Sequence, residues 1–156
     1  ITEKMASKVI ESWKLITAIP NYEEVAGELL FKNIFTIAPE AYGLFSFSKD
    51  YDIMSNELFA SQKFKKHAAG VIGTVNVAVG MLGPDLSPLA DILKGLGRKH
   101  KVYGVLEAHY DIVGQALIQT LSVAMADAFT DEVKAAWGEV WGVISSTMIE
   151  GAGYKK

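Results

Sequence analysis

Apolar residues recur along this chain at helical spacing, and no stretch alternates polar and apolar over the length of a strand. In residues 3–18, Met5, Val9, Ile10, Trp13 and Ile16 fall on one stripe, with Thr2 placed to cap it and Pro20 to end it. Asn21, followed three residues later by Glu24, reads as a capping-box-like start. The helix after it carries Val25, Leu29, Phe31, Ile34 and Phe35 until Pro39 forces a break. Leu44, Phe45 and Phe47 then punctuate a loop rich in Ser and Asp. A long helix is predicted from about Asn56 to Val79, its inner line Phe64, His67, Ala68, Val71, Val75 and Ala78, with Gly83-Pro84 as the break. Ser87-Pro88 predicts a capped start with a first-turn proline. That helix sets Leu89, Ile92 or Leu93, Leu96 and then His100 on its apolar line, and Gly104 ends it. Two more helices are predicted at 107–125 and 131–149. Thr130 caps the second, whose stripe is Val133, Trp137, Val140, Trp141, Ile144 and Met148. Six long helices plus short ones predict an all-α packed fold.

Composition narrows what such a fold can do. The 156 residues suit one domain over 1–156 with a sizeable core. Half of them are hydrophobic, so the core is large or closes around something that is not protein. A net charge of −3 argues against a nucleic-acid partner, which would require a basic face. The absence of cysteine removes disulfides, thiolate metal sites, cysteine nucleophiles and thioether-linked cofactors. A small domain without disulfides is expected in the cytoplasm. The uncharged run 68–82 is 15 residues long, short of the roughly 20 that a spanning helix needs, so a buried helix and no membrane partner are expected. Glu3, Lys4, Lys8 and Glu11 break up any apolar leader, while a start at Ile1 instead of Met leaves room for an upstream segment.

Two histidines stand where apolar residues would continue an inner stripe. One such histidine is most often a hydrogen-bonded core residue. Two of them, His67 and His100, lie on separate helices 33 residues apart. Facing each other across an apolar cleft, they would suit a flat metal cofactor, because imidazole is a common metal ligand and haem needs apolar walls on both faces. Periodicity does not choose which of the two would bind the iron. His109, beside Glu107 and Asp111, reads as solvated surface. Phe31, Phe45 and Phe47 are candidates for a cleft wall, although three aromatics are more often plain core. Lys65, Lys66, Arg98, Lys99 and Lys101 flank the histidines. Most read as a solvated face, with Lys66 and Arg98 the best candidates to hold acidic side groups of a cofactor. No P-loop, H-E-x-x-H, EF-hand or dinucleotide glycine pattern is present, and Ser61 and Ser87 lack His and Asp partners.

Over nearly its full length the chain resembles a globin. ESWKLI at 11–16 is similar to the first globin helix, and FKNIFTIAPEAYGLF at 31–45 to the second helix, the following proline and the haem-stacking phenylalanine. FKKHAAGV at 64–71 resembles the distal helix, and LGRKHKVYGV at 96–105 the proximal segment. HYDIVGQALI from His109 and AAWGEVWGVI from Ala135 resemble the last helices of bacterial single-domain globins and flavohaemoglobins, while the middle resembles neuroglobin and other animal globins. The resemblance implies the globin fold around haem b. It makes His100 the proximal iron ligand, His67 the distal ligand or hydrogen-bond donor, and Phe45 the stacking ring. Phe31, Phe47, Lys66, Val71, Leu96, Arg98, Val105 and Tyr110 complete the implied cofactor set. Flavohaemoglobin-type globins carry a distal Tyr and Gln where this chain has Phe31 and His67. Tyr110 matches their proximal tyrosine, but Ala152 stands where its glutamate partner belongs and Glu150 comes two residues early. A missing glutamate favours reversible binding of O2, and also of CO or NO, for storage, transport or sensing, over peroxidase-like chemistry. The alternative implied is a six-coordinate, bis-histidyl haem with redox, NO or nitrite chemistry. A separate reductase is an expected partner, a homodimer is compatible, and a globin-shaped module without haem is the third reading.

Overall fold

The computed structural model describes residues 1–154. Among these described residues seven α-helices form: α1 (Glu3–Thr17), α2 (Tyr22–Ile37), α3 (Asn56–Ala60), α4 (Gln62–Gly80), α5 (Ser87–Val102), α6 (His109–Met125) and α7 (Asp131–Ala152). Short 3₁₀ turns occupy Pro39–Leu44, Ser46–Lys49 and Ala126–Ala128. No strand occurs among the described residues. The six long helices are those that the apolar periods predict, and α3 is the short addition.

The differences lie mostly at helix ends. The helix predicted from 56 to 79 is broken at Ser61, which is extended (φ −70°, ψ 141°) and accepts from Phe64 N to start α4 afresh. Ser55 caps α3 in the same way. Ser87 does not cap α5: it is already helical, and Asp85 accepts its N–H at 2.9 Å. Asn21 adopts a left-handed conformation (φ 58°) and its amide donates to Glu24 instead of capping the backbone. Helix α6 starts at His109, two residues later than its period suggests, and α7 runs on to Ala152, where Gly153 (φ 65°) stops it. Thr2 and Thr130 cap as expected.

Packing follows the stripes with one change: on α2, Val25 faces solvent and Leu30 is buried in its place. On α5, where Ile92 or Leu93 could turn inward, Leu93 is the buried one. Both Trp137 and Trp141 pack inside the molecule. Trp137 donates to Ser12 at 2.9 Å and Trp141 to the Tyr110 carbonyl at 3.2 Å. The α5–α7 contact is the most extensive between helices, followed by α2 on α4 and α6, and α1 on α7. Glycines permit the closest of these approaches. A Cβ on Gly27 would lie 2.7 Å from the Ala68 carbonyl oxygen, and one on Gly97 would overlap the Met148 carbonyl. Gly151 likewise admits the α5 backbone at Lys94. Helices α4 and α5, which carry His67 and His100, are thus seated backbone to backbone on α2 and α7. No helix among the described residues is long and apolar enough to cross a membrane.

Candidate functional site

Helices α2, α4, α5, α6 and α7 enclose an apolar cavity of about 250 Å³. Leu30, Phe31, Phe45, Val71, Leu96 and Val105 are among its walls, and His67, His100, His109 and Tyr110 are its titratable members. A wider depression on α7, lined by Gly138, Glu139, Gly142 and Ser146, holds no pair of ligating groups.

His100 is oriented by its own helix. Its Nδ1 lies 2.7 Å from the Leu96 carbonyl one turn earlier. A carbonyl oxygen only accepts, so Nδ1 carries the proton and the Nε2 lone pair is left free. His67 is held by rings instead. Phe31, Phe45 and Phe47 surround it with centroids at 5.5, 5.4 and 5.9 Å, each close to edge-on. Its ring is open to the cavity, yet the walls strip away enough water to lower its pKa, and the nearby His100 lowers it further. Both effects favour a neutral imidazole whose nitrogens no hydrogen bond has claimed.

The other candidate residues divide. Phe31, Phe45, His67, Val71, Leu96, His100, Val105 and Tyr110 all line the cavity. Phe47 does not: it is buried behind the wall and stacks on Phe45 at 5.2 Å, 7° from parallel. Lys66 and Arg98 also lie outside the lining, exposed on the surface, because their positions on α4 and α5 turn away from the inner stripes. His109 corrects the reading of a solvated surface residue. It is partly buried and lines the cavity. Its Nδ1 accepts from Leu106 N at 2.8 Å, which puts the ring proton on Nε2. The flanking Glu107 and Asp111 masked this in the sequence; the available signal was the three-residue spacing from Leu106, a turn that an imidazole can close.

The glutamate that flavohaemoglobin-type globins pair with their proximal tyrosine has no counterpart here, as the sequence predicts. Tyr110 has a buried hydroxyl without a hydrogen-bond partner, and burial, then Tyr154 nearby, push its pKa up to about 12. Tyr154 donates to the Val105 carbonyl at 2.6 Å. Ala152 is buried, and Glu150 points outward toward Lys94, 3.6 Å away. The imidazole of His100 therefore pairs with a neutral carbonyl, not a carboxylate.

Among the described residues, no three His, Asp or Glu side chains converge to cage a bare metal ion. Two imidazoles on opposite helices, one with Nε2 free, inside an almost wholly apolar cavity, are instead the donor set of a metal held in a flat organic ring. These residues fit haem.

A model of the globin family matches residues 28–148. The chain belongs to the globin family. This globin is 34% identical over 142 residues to an anaerobic nitrite reductase of Gossypium hirsutum, covering 90% of this chain and 83% of that one. It is 30% identical over 155 residues to the neuroglobin of Tetraodon nigroviridis, covering 96% and 93%. Among solved structures it resembles a hexacoordinated haem protein from an anhydrobiotic tardigrade (TM-score 0.86, 22% identity, 99% and 96% covered). It also resembles the hexa-coordinate haemoglobin of Drosophila melanogaster (TM-score 0.83, 19% identity, 95% and 93% covered). At these identities the structural likeness is one of fold.

Proposed function

We propose that this globin, as one domain over 1–156, binds haem b between α4 and α5 and uses it to take up O2, and also CO or NO, reversibly. The observation that carries this is the opposed pair His67 and His100 in one apolar cavity. When bound, the haem supplies a ferrous iron with a coordination site for a diatomic ligand. His100 would hold the iron through Nε2, and its Nδ1–H bond to the Leu96 carbonyl fixes the tautomer and the turn of the ring. His67, across the cavity, would donate a hydrogen bond to the gas. Phe31, Phe45 and Val71 exclude water, so that this bond acts in a dry pocket. Such a bond is worth about 1–3 kcal/mol, roughly ten- to hundredfold in affinity. Replacing His67→Leu is expected to speed O2 release by roughly that factor. An unchanged dissociation rate would remove His67 from this role.

A second reading has His67 itself as the sixth ligand in the absence of gas. The favouring observation is that its ring is free of hydrogen bonds, faces the same cavity as His100, and is pushed toward the neutral form by burial and then by His100. The relatives named for nitrite reduction support redox, NO or nitrite chemistry as the accompanying activity on this reading. The deoxygenated ferrous spectrum separates the readings: split visible bands belong to two axial histidines, and one broad band to an open site.

A further inference from the structure

The outer face of α5 and the loop after it differ from the rest of the surface. Among the described residues, eleven large hydrophobic side chains are exposed, and four of them, Ile92, Val102, Tyr103 and Leu106, fall within residues 92–106. Val102, Tyr103 and Leu106 are 83%, 70% and 61% exposed, an unusual clustering for a free surface. The same fifteen residues carry Lys94, Arg98, Lys99 and Lys101 and no carboxylate, a local +4 in a chain of net −3. Lys94 reaches Glu150 only at 3.6 Å, and Lys101 donates to the Gly153 carbonyl. Arg98 and Lys99 have no acidic partner among the described residues. Apolar centre, tyrosine, arginine and a basic surround are the composition of a protein docking surface. A second copy of this chain would set these cations against each other, which selects against self-pairing.

The placement supplies the partner's class. Within the same stretch, Leu96, His100 and Val105 line the cavity while Ile92, Lys99, Val102, Tyr103 and Leu106 face out. Anything seated on the outer face is one helix-width from the cofactor cavity. We propose that the face formed by Ile92, Arg98, Lys99, Val102, Tyr103 and Leu106 docks an acidic one-electron carrier protein that reduces the ferric iron. One electron passes from the carrier to the iron, the carrier is oxidised by one electron, and no atom or proton changes place. The proposal rests on the haem reading above.

The test uses reduced plant-type ferredoxin as the acidic donor and the haemin-loaded chain as acceptor, with reduced lumiflavin as a small neutral donor. Stopped-flow reduction by ferredoxin is expected to slow at least about tenfold as ionic strength rises from about 20 to about 200 mM, with little change for lumiflavin. Arg98→Glu with Lys99→Glu should slow the ferredoxin reaction by about tenfold or more at low salt. Tyr103→Ser with Val102→Ser should weaken ferredoxin binding severalfold at every salt concentration, as read by NMR shift titration of redox-inactive, gallium-substituted ferredoxin with the chain as purified. Salt-independent rates, or unaltered rates in the charge reversal, would overturn the proposal. So would binding to vesicles of phosphatidylserine and phosphatidylcholine that the same substitutions abolish while the ferredoxin rate stays unchanged. A chain that takes up no haemin shows no Soret band, so failure of the haem reading is seen before any donor is added, and the titration still reports on the face itself.

Discussion

Gly97 lies three residues before His100, at the tightest point of the α5–α7 contact. A methyl group there would overlap the Met148 carbonyl oxygen and sit 2.7 and 2.9 Å from its carbonyl carbon and Cα. Carbon atoms in contact prefer about 3.5–4.0 Å, so the helices must part by roughly 1 Å. Every opposing atom is backbone, and no rotamer change relieves the overlap. Overpacking of this kind costs about 1–3 kcal/mol, and the better helix propensity of alanine returns at most about 1 kcal/mol. Gly97→Ala should therefore destabilise the protein by about 1–2 kcal/mol, a fall in Tm of roughly 2–8 °C at this size. Gly95 is the internal control. Its added methyl meets only the Arg98 guanidinium at 3.7 Å, so Gly95→Ala should stabilise by up to about 1 kcal/mol. Denaturant melts of both variants give the sign directly. Because α5 carries His100, haemin release should also accelerate in Gly97→Ala and not in Gly95→Ala. If Gly97→Ala stabilises as much as its control does, the backbone seating of α5 on α7 is refuted.

Two further expectations concern pH. The folded-state pKa of His67 lies below its usual 6.5, so the unfolded chain binds more protons in mild acid. Haem-free protein should lose stability as pH falls below about 6.5, levelling off below the folded pKa, and His67→Phe should flatten that slope in melts across the range. An unaltered slope would show that His67 is hydrated like any surface histidine. For Tyr110 the sign reverses. Its pKa rises to about 12, so stability present below the ordinary tyrosine value of 10.0 should drain away as pH climbs toward 12, and Tyr110→Phe should melt less steeply there. Equal alkaline profiles for the two proteins would contradict the burial of that hydroxyl.

Much of this architecture is written in local patterns. The 3.6-residue period and the breakers Pro20, Pro39 and Gly83-Pro84 separate the long helices without reference to tertiary structure. The break at Ser61 escaped because no Pro or Gly marks it; a serine cap inside a helical period becomes visible only when its φ and ψ are known. Val25 and Leu30 show the other limit. Both fit a helical stripe, and only the position of α4 against α2 decides which one turns inward. In the cavity, residues on strongly periodic helices were legible one by one. Phe47 was not, since it follows Phe45 in a loop where sequence spacing carries no direction. His109 was hidden by its charged neighbours, and Lys66 and Arg98, close in sequence to the histidines, stand on the exposed sides of their helices outside the lining.

The glycine contacts have one more consequence. Ala68, the residue after His67, rests on Gly27, and Gly97 rests on Met148 one turn before His100. Each imidazole is mounted beside a place where two main chains touch, like jaws bolted to a common frame. The opening between the jaws is then a property of the frame. Trading one lining side chain for another, Val71 or Ile144 for instance, reshapes the room beside the rings but leaves their separation alone. A substitution at Gly27 or Gly97 resets the gauge itself. On the proposed haem reading, the choice between gripping a gas and gripping the metal from both sides would be made partly by two residues that touch neither.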